Sequence, residues 1–165
     1  MADTIIIKPT IQWQFDRCMD RERVLLFSAP CGSGKTTLAG ALLRGQDVLC
    51  LSADDPAFAL PPADGSWRIL LLDDLQSIQE ERDWMALCQL IRSCPDRRFV
   101  LLSRGAPPGE LVAFQFTGLM TVLHADDLLF GHDEVRHYHF WPQFRAFLVR
   151  EYTEERRKAL FSRGG

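Results

Sequence analysis

No stretch of this sequence stays apolar for the ~18 residues that a membrane span requires. The short run Ile5-Ile6-Ile7 has neither a basic lead-in nor a cleavage site, so no secretory signal is expected. Neither sign of charge dominates. The formal net charge of −3 argues against a broad nucleic-acid-binding surface. The five cysteines, Cys18, Cys31, Cys50, Cys88 and Cys94, form no C-x-x-C pair. An odd, scattered set reads as buried free thiols in a reducing cytoplasm rather than a disulfide framework. His132, His137 and His139 are close in sequence but fit no standard zinc spacing and have no cysteine beside them, so a solvent-facing helix end is expected there. There is no internal repeat and no low-complexity segment.

What remains is ordinary soluble composition, 47% hydrophobic and 25% charged over 165 residues. That is the size of one domain with a sizeable core. Its most informative stretch is Ser28-Ala29-Pro30-Cys31-Gly32-Ser33-Gly34-Lys35-Thr36-Thr37. The apolar run Val24–Phe27 precedes it and the helix-forming run Leu38–Leu43 follows. A strand, a glycine-rich turn and Lys-Thr at a helix start is the physical form of a phosphate-binding P-loop. Glycines let the backbone curl until successive N–H groups point at one centre. Pro30, Cys31, Gly32, Ser33, Gly34, Lys35, Thr36 and Thr37 are therefore the expected nucleotide-binding residues. Lys35 would reach the β- and γ-phosphates and Thr36 would sit on Mg²⁺. The usual first glycine is Ala29.

Taken in order, Trp13, Phe15 and Met19 are expected on one face of a helix running towards Arg23. Strands are expected at Val24–Ser28, Asp47–Ser52, Trp67–Leu72, Arg98–Ser103 and Gly118–His124. The P-loop helix is expected from Lys35 to Arg44, with Gly45 as its cap. Residues 53–66 hold Pro56, Pro61, Pro62 and Gly65, which forbid a long helix, so this crossover must be irregular or carry one short turn. Trp84, Leu87, Cys88 and Ile91 make one helical stripe. Glu110–Phe116 reads as a short helix, Asp126-Asp127 and Asp133-Glu134 as helix starts, and Pro142–Phe161 as a charged helical tail. The four tryptophans, Trp13, Trp67, Trp84 and Trp141, read as core or lid packing. The alternation predicts an α/β three-layer P-loop sandwich with a mainly parallel five-stranded sheet. Residues 1–124 would be the core, and 125–165 a helical lid remnant and tail.

Two further positions carry chemistry. Asp73 ends the apolar run Ile69–Leu72 at the carboxyl edge of a buried strand, where open α/β sheets bind ligands. A carboxylate there can hold Mg²⁺, and Asp74 next to it can polarise an attacking water. The bland alternative is an acid pair that ends a strand and caps a helix. Arg104 follows the fourth strand, placed to sense a γ-phosphate; the alternative is a surface arginine paired with a nearby acid. No Asn-Lys-x-Asp motif for guanine is present, which favours ATP over GTP.

Together these residues resemble the STAND signal-transduction ATPases, in the subset of the maltose-regulon activator and large LuxR-type regulators. The resemblance rests on Ser28-Ala29-Pro30-x-Gly32-x-Gly34-Lys35-Thr36-Thr37-Leu38, with alanine at the first glycine position. It also rests on Leu70–Asp74 as Walker B with paired acids, on Phe99–Arg104 with Pro107-Pro108, and on Leu123–Glu134 entering a helical lid. Lys8-Pro9-Thr10-Ile11 falls where that family has a basic-proline segment near the adenine. The resemblance implies an ATP- and Mg²⁺-dependent switch that hydrolyses slowly, with Lys35, Asp74 and Arg104 catalytic and Thr36 and Asp73 on the metal. It also implies a cytoplasmic signalling or transcription regulator, with a protein partner or self-association through the ATPase module. No direct nucleic acid or membrane contact is expected of these residues. Two departures stand out: the family's long helical stretch before Walker B is reduced to residues 53–66, and its Gly-x-Pro lid turn is at most Phe140-Trp141-Pro142. The competing functions are a non-catalytic nucleotide-binding or interaction module, a small-molecule kinase, and a DNA-binding regulator in its own right.

Overall fold

A computed structural model of the chain describes residues 6–129, of which residues 7–129 form one compact unit. The sequence expectations for His132, His137, His139, Asp133-Glu134, Phe140-Trp141-Pro142 and the tail at 142–161 fall outside the described residues. The elements in order are α1 (Pro9–Asp20), β1 (Val24–Ser28), α2 (Lys35–Leu42), β2 (Val48–Ser52), β3 (Ile69–Asp73), a 3₁₀ turn (Leu75–Ser77), α3 (Glu81–Ser93), β4 (Arg98–Ser103), α4 (Gly109–Phe116), β5 (Met120–His124) and α5 (Ala125–Leu128). The strands line up as β2-β3-β4-β1-β5, and every neighbouring pair is parallel.

Period-two alternation sorts the strand side chains into two cores, one on each face of the sheet. Leu26, Leu70, Leu72, Phe99 and Leu101 face one way, beneath Leu87, Cys88 and Ile91 of α3 and Leu111 and Phe114 of α4. Leu25, Phe27, Val100 and Leu102 face the other, beneath Ile11, Phe15 and Cys18 of α1 and Ala39 and Leu42 of α2. The result is the expected three-layer sandwich. The 53–68 crossover is irregular, as its prolines require. A turn at Ser52–Phe58 starts it (Phe58 N–H to Asp55 O, 2.9 Å) and Phe58 and Leu60 pack on the core. Trp67 then closes it, donating from Nε1 to Pro62 O at 2.9 Å. The Arg97 guanidinium lies 4.6 Å over the Trp67 ring and donates to Trp67 O and, at 2.7 Å, to Gly65 O.

Several expectations are corrected. The buried stripe of α1 is Ile11, Phe15 and Cys18, spaced four and three residues apart, while Trp13 is 58% exposed and so is not core. Of the five thiols, all free, Cys18, Cys88 and Cys94 are buried but Cys31 and Cys50 are exposed. α2 ends at Leu42 rather than Arg44, because the chain turns through Leu43 to Gly45 at φ +80°. β3 begins at Ile69 rather than Trp67, because Trp67 serves the crossover loop.

Candidate functional site

The strand order positions the site before any side chain is considered. β1 leads into the P-loop and β3 ends at Asp73, and β4 runs between them. The register aligns Ser28 with Ser103 and Ser52 with Asp73, so the carboxyl ends of four strands share one edge of the sheet. That edge is where parallel sheets bind ligands.

The turn from Pro30 to Thr37 gathers all eight expected nucleotide-binding residues. Gly32 and Gly34 both adopt φ +80°, the left-handed region that glycine enters at little steric cost. Ala29 is not among the positive-φ residues. It is buried, and its N–H donates to Ser103 O at 3.0 Å. A methyl is therefore tolerated where the motif usually has glycine. Gly34 caps α2 and no side chain does, which leaves the N–H groups of the first helical turn directed outward, at the positive end of the helix dipole. The Lys35 side chain is buried in the turn and its Nζ donates to Pro30 O at 3.3 Å. Ser33 Oγ is buried and has no hydrogen-bond partner among the described residues. Outward N–H groups, a lysine ammonium and an orphaned hydroxyl on one curl of chain fit a polyphosphate.

The acid pair is built by a strained turn. Asp74 is left-handed, φ 54° and ψ 42°, a conformation aspartate tolerates better than most residues. It turns the Asp74 N–H back onto Asp73 Oδ1 at 2.7 Å. The other oxygen, Oδ2, accepts from Thr36 Oγ1 at 3.1 Å. Thr36, in the first turn of α2, and Asp73, at the end of β3, are thereby joined. They are two hard oxygen donors, suited to Mg²⁺, which takes one or two protein ligands and completes its octahedron with phosphate and water oxygens. Among the described residues no three His, Cys, Asp or Glu side chains form a metal site by themselves.

Asp74 faces a different set. Its Oδ2 accepts from Ser52 Oγ at 3.0 Å, and its Oδ1 accepts from Gln76 Nε2 at 3.2 Å. Arg104 Nη2 lies 3.7 Å from the same Oδ1. Arg104, just past the end of β4, is thus paired with an acid, as the alternative reading of it expected. Arg104 is half exposed, 54%, so this ion pair contributes little to stability. Sequence reasoning passed over Ser52 and Gln76. Ser52 ends a strand that flanks β3, and Gln76 follows the acid pair by two residues; polar residues at strand ends beside a carboxylate were the available signal.

Lys8 is buried against residues that follow β5. Its ammonium donates to Asp127 O at 3.1 Å and Leu129 O at 2.6 Å. The basic-proline segment therefore ties the start of α1 to the residues after β5. Elsewhere, burial pushes the Cys18 thiol up to about 12, helped by the nearby Glu22 carboxylate. Burial also raises Cys88, against the opposing charge of Arg92.

The sheet order, the turn between β1 and α2, and Asp73 at the end of β3 decide the fold class. The chain has the α/β P-loop fold. No protein-family model and no curated protein matches it. Among solved structures, one chain of the structure of Drosophila ORC bound to GC-rich DNA and Cdc6 superposes with a TM-score of 0.45 at 13% identity, over 70% of this chain and 56% of that one. Drosophila ORC bound to DNA gives 0.44 at 12%, over 70% and 91%. Bacteroides Pif1 in complex with ADP-AlF4 gives 0.39 at 15%, over 67% and 36%. This chain thus spans little more than half of the matched chain in the first of these and about a third of that in the Pif1 structure. No helix among the described residues is long and apolar enough to cross a membrane.

Proposed function

We propose that this chain is a Mg²⁺-dependent ATP-binding module that hydrolyses ATP slowly and acts as a molecular switch within a bacterial signalling or transcription regulator. The observation that carries the reading is the 3.1 Å hydrogen bond from Thr36 to Asp73, which joins the phosphate turn to the end of β3. The turn from Pro30 to Thr37 holds the β- and γ-phosphates through backbone N–H groups and Lys35, which exchanges Pro30 O for phosphate oxygen. Thr36 and Asp73 hold Mg²⁺, which when bound neutralises developing phosphate charge. Asp74 orients a water whose oxygen bonds to the γ-phosphorus as the bond to the β–γ bridging oxygen breaks. The water's proton passes to the Asp74 carboxylate and on to solvent, leaving ADP and inorganic phosphate. Arg104 stabilises charge on the transferred group. Titration with ATP, ADP and GTP, with and without Mg²⁺, tests the binding. Preferential, Mg²⁺-strengthened binding of ATP over GTP supports the reading; no binding of any of the three overturns it.

One observation favours a second reading, a nucleotide-binding module without turnover. The Asp74 carboxylate is already committed to Ser52, Gln76 and Arg104. Single-turnover assays with Mg-ATP separate the two: phosphate release supports hydrolysis, and bound ATP recovered intact supports the second reading.

A further inference from the structure

Gln76 is exposed, yet its amide makes two hydrogen bonds, one to the Asp74 carboxylate and one to the Arg104 backbone. Nε2 donates to Asp74 Oδ1 at 3.2 Å, and Oε1 accepts from the Arg104 backbone N–H at 3.0 Å. A backbone N–H can only donate, so the amide oxygen must face Arg104 and the NH₂ must face the carboxylate. With the Arg104 guanidinium 3.7 Å from the same Oδ1, the three residues close a ring from the end of β3 to the end of β4. Asparagine is one methylene shorter and glutamate lacks the donor, so the glutamine amide suits both ends at once.

From this geometry we infer that Gln76 is a positioning residue that makes Asp74 and Arg104 respond together to a terminal phosphate. The inference rests on the proposed ATP site. Oε1 pins the Arg104 backbone while the arginine side chain, more than half exposed, exchanges Asp74 for an incoming γ-phosphate. Nε2 keeps the carboxylate aimed after the guanidinium has moved. ADP, which ends at the β-phosphate held by the P-loop, does not engage the ring. Gln76 therefore acts on discrimination between ATP and ADP and on turnover, and not on affinity for the diphosphate.

The test compares wild type, Gln76→Leu and Gln76→Glu at one Mg²⁺ concentration. Exposed hydrogen bonds contribute little to folding, so both variants should unfold near the wild-type temperature. The expected result is ADP affinity within about twofold of wild type, with the ATP-over-ADP preference and kcat each reduced about tenfold or more, the scale of a lost hydrogen bond to a charged group. Gln76→Glu keeps the acceptor for Arg104 but sets a second carboxylate against Asp74. It should therefore lower kcat at least as far as Gln76→Leu while ADP affinity and the unfolding temperature stay near wild type, a split that a purely structural role would not produce. Unchanged preference and kcat in both variants, with ADP still bound, overturns the role of Gln76 alone. No ADP binding by wild type overturns the proposed site and this inference with it.

Discussion

Thr36 Oγ1 donates to Asp73 Oδ2 at 3.1 Å, linking two residues that stand 37 positions apart in sequence. The hydroxyl starts the helix after the phosphate turn, and the carboxylate ends the strand two places away in the sheet. Because Asp73 Oδ1 is fixed by the Asp74 N–H, the direction of Oδ2 is set as well. Preorganised oxygens of this kind suit the proposed Mg²⁺ role.

Asp73→Asn leaves the shape of this pair but removes its charge. Nucleotide should still bind in the absence of Mg²⁺, while the strengthening of ATP binding by Mg²⁺ should drop by about tenfold or more. Calorimetric titration at two Mg²⁺ concentrations measures this. Equal Mg²⁺ dependence in wild type and variant removes Asp73 from the metal site.

Asp74→Asn should bind ATP within about threefold of wild type and lose turnover by about 100-fold, the usual scale for general-base catalysis. Arg104→Ala should weaken ATP more than ADP and slow release of phosphate. Phosphate release by Asp74→Asn at the wild-type rate dismisses Asp74 from the mechanism.

Much of this arrangement is legible in the sequence, because it depends on local patterns. The apolar runs at β1, β3 and β4, the two positive-φ glycines of the phosphate turn and the acid at a strand end each have a physical signature within a few residues. The long-range partners are less legible. Ser52 and Gln76 carry only a weak local mark, a polar side chain near the end of a strand, because their roles come from the register of β2 against β3 and of β4 beside it. Trp13 misled for a related reason. An aromatic in an amphipathic segment suggests core, but the phase of α1 is set by Ile11, Phe15 and Cys18, and Trp13 instead lies under the Arg17 guanidinium at 5.4 Å.

The thiols offer a site-specific probe. Cys31, exposed on the phosphate turn, and Cys50, exposed on the edge strand, should alkylate readily at neutral pH; Cys18 and Cys88, buried with raised pKa, should not. ATP should slow labelling of Cys31 and leave Cys50 unaffected. Mass spectrometry of the labelled peptides decides it, and equal protection of both thiols points away from the turn.

Cys18 also ties stability to alkaline pH. Its thiol titrates near 12 in the folded chain against 9.0 when unperturbed. Below pH 9 both states keep the proton and the full contribution is present. Above it the unfolded chain ionises first, so stability falls, by about tenfold in the folding equilibrium per pH unit, and is lost as pH passes the folded value. Urea midpoints from pH 8 to 10.5 should decline more steeply for wild type than for Cys18→Ala. Identical slopes contradict this.

The crossover staple should matter for folding and not for the site. Arg97→Ala removes three carbonyl contacts and the ring contact with Trp67, a loss of about 1–3 kcal/mol. Gly65→Ala would set a Cβ 2.9 Å from Trp67 Cδ1 and 3.2 Å from Pro62 O, and should be destabilising as well. Denaturant unfolding measures both. A stable variant that binds nucleotide more weakly would reverse the assignment.

The central claim is that the turn from Pro30 to Thr37 holds the phosphates of ATP through Lys35. Its most direct measurement is a calorimetric titration of wild type and Lys35→Ala with Mg-ATP. The account predicts saturable one-to-one binding by wild type and a loss of about 100-fold or more in the variant. Equal affinity in the two proteins, or none in the wild type, would contradict it.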